Sequence, residues 1–232
     1  MRFATPLVPA TLIRRYKRFL SDVVLEDGTE VVAHCPNPGA MTGLAEPGTR
    51  IWLEPNDNPK KKLKYGWRLT ELPDGHMAGI DTGVPNRVVG EALRAGLVPG
   101  LSGDVRAEVK YGTNSRVDFL LSDSGVTTYV EVKNCHLRRS GTLAEFPDCV
   151  TLRGAKHMEE LAEVARQGHR AVLIFLVQRT DCTSVAVADD IDPGYARAFD
   201  AARTAGVEVI ALSSRITVDG VESGPPLPVS GG

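Results

Sequence analysis

The chain has 232 residues, enough for one large domain or two modest ones, and at 42% hydrophobic and 24% charged it can bury an ordinary core. A net charge of −2 excludes a uniformly basic nucleic-acid coat, so any such surface has to come from local clustering. No apolar run approaches a membrane span of roughly 18 residues, and Met1 to Pro6 lacks a signal-peptide core, so a cytoplasmic location is expected.

Leu12 to Leu25 reads as an extended run, Glu26-Asp27-Gly28 as a turn and Thr29 to His34 as the return, which predicts a hairpin over 12–34. Arg15 and Lys17 share one face of the first strand, and Arg14, Tyr16 and Arg18 the other. Charge on both faces suits a barrel strand beside an open groove. Pro36-Asn37-Pro38-Gly39 is loop chemistry, Arg50 to Pro55 a short strand, and Asn56 to Pro59 a surface loop leading into Lys60, Lys61, Lys62 and Lys64. Tyr65 to Leu72 is a further strand carrying Trp67. Short strands with Gly/Pro loops and no long helix through residue 82 predict a small barrel. Aromatics among lysines and arginines can stack bases and follow a phosphate backbone. Alternatively, Tyr65 and Trp67 fill the barrel and the lysines only solubilise a loop.

From Asp81 the pattern changes. Asn86 to Val98 has the spacing of an amphipathic helix, with Asn86 or Thr82 as cap and Glu91 beside the apolar stripe. Asp104 to Tyr111 and Ser115 to Leu121 read as strands, and Ser122-Asp123-Ser124-Gly125 as the turn into Tyr129 to Asn134. Strand alternation puts Tyr129, Glu131 and Lys133 on one face, and Asp118 joins them if the two strands pair. Two carboxylates and an ammonium on one patch suit hydrolysis assisted by a hard cation. The same residues also describe a solvated sheet face with a Glu131–Lys133 pair.

Residues 136–150 read as a long connection in which Arg138 and Arg139 could reach phosphate or simply be solvated. Thr151 to Gln167 is a helix with Arg153, Lys156, His157 and Glu160 on one polar face, either a site wall or the wet side. Ala171 to Val177 is a continuous apolar run, hence a strand buried on both faces of a mixed sheet. A strand over 184–188, a helix over 195–205 and a strand over 208–212 follow, and the Pro225-Pro226-Leu227-Pro228 tail is expected to be disordered. Cys35, Cys135, Cys149 and Cys182 form no CxxC pair, so packed thiols are expected rather than zinc or disulfides.

Several segments carry a resemblance. They are His34 to Gly43, Gly79-Ile80-Asp81-Thr82 with Pro85-Asn86-Arg87, Glu108 to Gly112, Asn114 to Leu120, Tyr129 to Asn134, Phe146-Pro147-Asp148, and Arg153 to His157. In this order the chain resembles the sugar fermentation stimulation protein A (SfsA) family, nearly end to end. Asp118-x12-Glu131-x-Lys133 is similar to the signature of PD-(D/E)XK nucleases. The resemblance implies an α+β or α/β chain, with an N-terminal OB-like barrel over 1–82 and a mixed-sheet, helix-flanked nuclease-like domain over 83–232. It also implies DNA as partner, Asp118, Glu131 and Lys133 as catalytic residues, and Mg²⁺ or Mn²⁺ held by Asp118 and Glu131. Glu91, on the helix before the core strands, is the candidate additional ligand.

The basic residues named above, with Trp67, Arg138, Arg139, Arg153 and Lys156, are the candidate nucleic-acid contacts. No recognition helix stands out, so base-specific reading is not expected. Three functions follow: a metal-dependent DNA nuclease, a non-catalytic DNA-binding regulator of sugar (maltose-type) metabolism genes, or a protein-interaction module using the barrel.

Overall fold

The computed structural model describes residues 1–111 and 115–230, so Gly112 and Asn114 of the segments discussed above, and the terminal Gly231-Gly232, lie outside the described residues. The first half holds β1 (Val8–Tyr16), β2 (Leu20–Leu25), β3 (Glu30–His34), β4 (Arg50–Pro55), β5 (Tyr65–Glu71) and β6 (Met77–Gly79). Their order is β3-β2-β1-β4-β5-β6, and a parallel contact of Ala33 with Tyr65 and His34 with Gly66 closes five of them into a barrel. Leu12, Val23, Ile51, Leu53, Trp67 and Leu69 alternate along their strands and are buried, as a small barrel's filled interior requires.

Two expectations are corrected here. The expected hairpin over 12–34 is three strands, because the chain reverses at Lys17 and Arg18, both in the left-handed region at φ 49° and 64°. Trp67 is fully buried and donates its Nε1–H to the Leu69 carbonyl at 3.0 Å, so it fills the barrel and cannot stack on a base.

The second half contains α1 (Val84–Arg94), β7 (Asp104–Tyr111), β8 (Ser115–Asp123), β9 (Val126–Cys135), β10 (Leu143–Phe146) and α2 (Leu152–Arg166). It continues with β11 (Arg170–Val177), β12 (Ser184–Val187), α3 (Pro193–Thr204), β13 (Glu208–Thr217), β14 (Gly220–Leu227) and β15 (Val229–Ser230). The large sheet runs β14-β13-β11-β9-β8-β7, and a smaller one runs β10-β12-β15. β11 pairs in parallel with both β9 and β13, and every residue from Ala171 to Val177 is buried. This is the two-sided strand expected from the apolar run.

Each face of the large sheet has its own core. Val130 and Val132 pack with α1 residues such as Val88 and Leu93, while Leu173 and Phe175 pack with α2 and α3 through Met158, Leu161 and Phe199. The expected disordered tail is instead β14 and β15: Pro226 lies opposite Leu212 on an edge strand, the position in a sheet where proline is tolerated. Among the described residues, no helix is long and apolar enough to cross a membrane.

The barrel is joined to the sheet domain through β6. Gly79 N–H donates to the Gln178 carbonyl at 2.9 Å and Thr180 N–H to the Met77 carbonyl at 3.0 Å. The buried Gln178 side chain donates to the Asp81 carbonyl at 3.1 Å and to Asn134 Oδ1 at 2.7 Å.

Candidate functional site

The β8–β9 ladder runs from Asp123 opposite Val126 to Phe119 opposite Val130. In that register the next opposed residues are Asp118 and Glu131, and opposed residues in an antiparallel pair face the same side. The Asp118 side chain takes the ladder's place here: its Oδ2 accepts the Val132 N–H at 2.7 Å, and its Oδ1 accepts Asn86 Nδ2–H at 2.7 Å. Asn86 sits in the first turn of α1. The expected side-chain cap from Asn86 or Thr82 is absent, since Gly83 occupies the cap position without a side-chain bond.

Glu131 is buried beneath α2. Thr151 starts that helix by accepting the Gly154 N–H on Oγ1 at 3.0 Å, which fixes the first turn. Arg153 and His157 then stand four apart on one face. Arg153 Nε–H donates to His157 Nε2 at 3.3 Å, so the imidazole carries its proton on Nδ1 and donates it to Glu131 Oε1. Lys133 Nζ donates to the same oxygen at 2.7 Å. Among the described residues, Glu131 Oε2 is buried and has no hydrogen-bond partner.

The two carboxyls are driven apart electrostatically. Burial, and next the Glu131 charge, raise Asp118 to about 6, against the Val132 N–H that opposes the rise. Burial also pushes Glu131 upward, but His157 and Lys133 outweigh it and hold that carboxyl below its ordinary value. Glu131 is therefore a fixed anion, and Asp118 the group that titrates near neutrality. Tyr111, on β7, has a buried hydroxyl without a partner among the described residues, kept protonated by burial and then by the Glu131, Glu160 and Asp118 charges.

Among the described residues, no group of three or more His, Cys, Asp or Glu is arranged to hold a metal. The donor set is two carboxylates, one with an orphaned buried oxygen. Such a set fits a hard divalent cation that keeps several waters, as Mg²⁺ does, better than zinc. Glu91 does not join it: its carboxylate is 60% exposed and pairs with the Met1 ammonium at 2.7 Å.

The structure disperses the candidate phosphate contacts. Arg139 is committed to Glu145 and Asp190, and Arg138 to Asp181 and the Gly141 carbonyl, so both are internal braces rather than free cations. Arg15 is likewise occupied, donating to the Asn37 and Gly39 carbonyls at 2.7 and 2.9 Å. Arg14 pairs with Asp22 at 2.7 Å but remains largely exposed. Lys17, Arg18, Lys60, Lys61, Lys62 and Lys64 are exposed on the barrel, and Arg153 and Lys156 are exposed on α2. Lys61 and Lys62 line a cavity of about 590 Å³ with His34, Tyr65 and Arg68. Asn86 and Tyr111 escaped the sequence reading as site residues; Asn86 was visible there only as a helix cap, and nothing in the sequence aims Tyr111 inward.

Comparison with known proteins covers the whole chain. Residues 83–220 match the family model described as "Sugar fermentation stimulation protein RE domain", and residues 13–80 match "SfsA N-terminal OB domain". A sugar fermentation stimulation protein homolog from Dinoroseobacter shibae is 67% identical, covering 99% of this chain and 96% of the relative. One from Jannaschia sp. is 65% identical, over 99% and 97%. In structure the chain is similar to Pyrococcus furiosus SfsA in complex with Ca²⁺, with a TM-score of 0.89 and 29% identity, over 99% of this chain and 98% of that one.

Proposed function

The chain belongs to the SfsA family, and from that premise we propose that it is a cytoplasmic DNA-binding protein carrying a divalent-cation site for phosphodiester hydrolysis. The observation that carries this reading is the orphaned Glu131 Oε2, buried in the same cluster as Asp118 while Lys133 and His157 occupy the other oxygen. A buried anionic oxygen without a donor costs about 1–3 kcal/mol or more, and a cation is the ligand that removes the cost. The Ca²⁺ complex of the archaeal relative supports a divalent ion here.

Asp118 and Glu131 would hold the cation, which would supply Lewis-acid polarisation of a phosphoryl oxygen and a more acidic bound water. His157 and Lys133 keep Glu131 ionised and fix its rotamer, so its free oxygen is presented without reorganisation. The Val132 N–H and Asn86 likewise fix the rotamer of Asp118. The Lys133 ammonium offsets negative charge building on the phosphoryl group. Arg153 and Lys156 draw the backbone toward the site, while Lys17, Arg18 and Lys60 to Lys64 grip it farther off.

A second reading rests on the same cluster: Lys133 already forms an ion pair with Glu131 and His157 donates to it, which suits a regulator that binds DNA on a nuclease scaffold without turnover. Titration calorimetry with Ca²⁺ and Mn²⁺, together with cleavage assays on single-stranded, duplex and branched DNA, separates the two. The nuclease reading expects saturable cation binding and metal-dependent nicking, both lost in Asp118→Ala. Absence of both in the wild-type protein leaves only the regulator.

A further inference from the structure

A separate cavity of about 340 Å³ opens where the barrel meets the sheet domain. Arg18 and residues 37–39 form one wall, and Asn134, His136 and residues 146–149 the other. That volume lies within the usual range for small-molecule sites, about 300–1,000 Å³. His136 is buried and accepts Asn134 Nδ2–H on Nδ1 at 2.8 Å, which leaves its proton on Nε2. That Nε2 has no hydrogen-bond partner and lies 3.4 Å from Asp148 Oδ2. Asn134 is held in turn by Gln178. The pocket thus carries a buried, positioned donor beside a carboxylate, with Phe146 and Pro147 as apolar wall.

This chemistry selects its ligand. The Asp148 carboxylate repels phosphate, and burying an unpaired anion against it is costly. A neutral group offering an N–H donor and an acceptor on one edge satisfies Asp148 and His136 together, and a flat one uses the apolar wall. A nucleobase has all three properties.

The rim points the same way. Val150 and Leu152 are 66% and 85% exposed, on either side of Thr151, which itself lines the cavity. Exposed apolar side chains at a nucleic-acid surface serve as wedges between base steps. Asn134 follows Lys133 on β9 and Thr151 shortly precedes Arg153 on α2, so the cavity and the carboxylate cluster adjoin along two elements.

We infer that this cavity receives one unstacked nucleobase of a bound DNA strand, with Leu152 filling the gap the base leaves in the stack. The inference rests on the DNA-binding reading above and deepens it: the substrate is a strand with a nucleotide out of its stack.

Cys149 supplies the test, because it lines the cavity and is exposed while Cys35, Cys135 and Cys182 are buried. The rate of Cys149 alkylation by N-ethylmaleimide is measured on the full chain with Ca²⁺ present, alone and with a short single-stranded oligonucleotide. Binding is followed separately by fluorescence anisotropy of the labelled strand. At ten times its Kd the oligonucleotide is expected to slow alkylation about tenfold, an abasic strand of equal length to bind without protecting, and Leu152→Ala to bind with weakened protection. Binding with an unchanged alkylation rate overturns the inference while sparing the DNA-binding reading. Equal protection by the abasic strand, or by deoxyribose 5-phosphate, overturns it as well. No anisotropy change removes the reading beneath it and the inference with it.

Discussion

At the scale of single residues, the consequences gather on Asp118. Its folded value of about 6 stands above the ordinary 3.8, so the fold favours the protonated form. The sign follows: this contribution is fully present below pH 4, declines as pH rises from there through about 6, and is absent at neutrality. Asp118→Asn removes the penalty. The amide oxygen still accepts the Val132 N–H, and a flipped Asn86 can accept from the new amide. Without added metal, Asp118→Asn should therefore be more stable than the wild type at pH 7.5 by on the order of 1–3 kcal/mol, with the advantage vanishing near pH 4. Urea denaturation at the two pH values checks this, and equal stability at pH 7.5 would contradict the burial argument. Such a residue is destabilising while empty, as a ligand-holding group often is.

Among the elements, the N-termini of α2 and α3 share one carboxylate. Asp192 Oδ1 caps α3 by accepting the Tyr195 N–H at 2.9 Å, and Oδ2 accepts the Thr151 N–H at 2.7 Å. Asp192→Ala should cost about 2–3 kcal/mol in denaturant unfolding, more than one cap, because it strands donors on both helices. A loss below 1 kcal/mol would mean that water replaces the carboxylate.

Elements with strong periodicity were legible in the sequence: β11 from its apolar run and α2 from its stripe and the Gly168 stop. So was the convergence of Asp118, Glu131 and Lys133, because strand alternation and one turn suffice to place them. Two places were opaque for physical reasons. The β1–β2 reversal uses Lys17 and Arg18 in left-handed conformations that Gly or Asn normally marks. β14 carries two prolines that only an edge position tolerates, and edge or interior is a property of the assembled sheet. The commitments of Arg138 and Arg139 were hidden because Asp181 and Asp190 lie about forty and fifty residues away in sequence.

For the whole molecule, charge and contact divide between the two halves. Lys60, Lys61, Lys62 and Lys64 crowd the β4–β5 loop of a chain whose net charge is −2. Replacing all four with alanine should weaken DNA binding at low salt and lower the slope of log K against log salt by about one for each lysine that meets a phosphate. An unaltered slope in anisotropy titrations would move the contact surface elsewhere. The Gln178 side chain is one polar tie between the halves. Gln178→Ala should cost about 2–3 kcal/mol by freeing the Asp81 carbonyl and Asn134 Oδ1, and a thermal transition that splits in two would show the halves uncoupled.

The barrel's closure is slight: two residue pairs, Ala33 with Tyr65 and His34 with Gly66, complete the ring. The four-lysine loop ends at that junction, where β5 begins. The thinnest seam of the ring thus runs beside its most cationic stretch, and a polyanion laid across both would clasp the barrel shut.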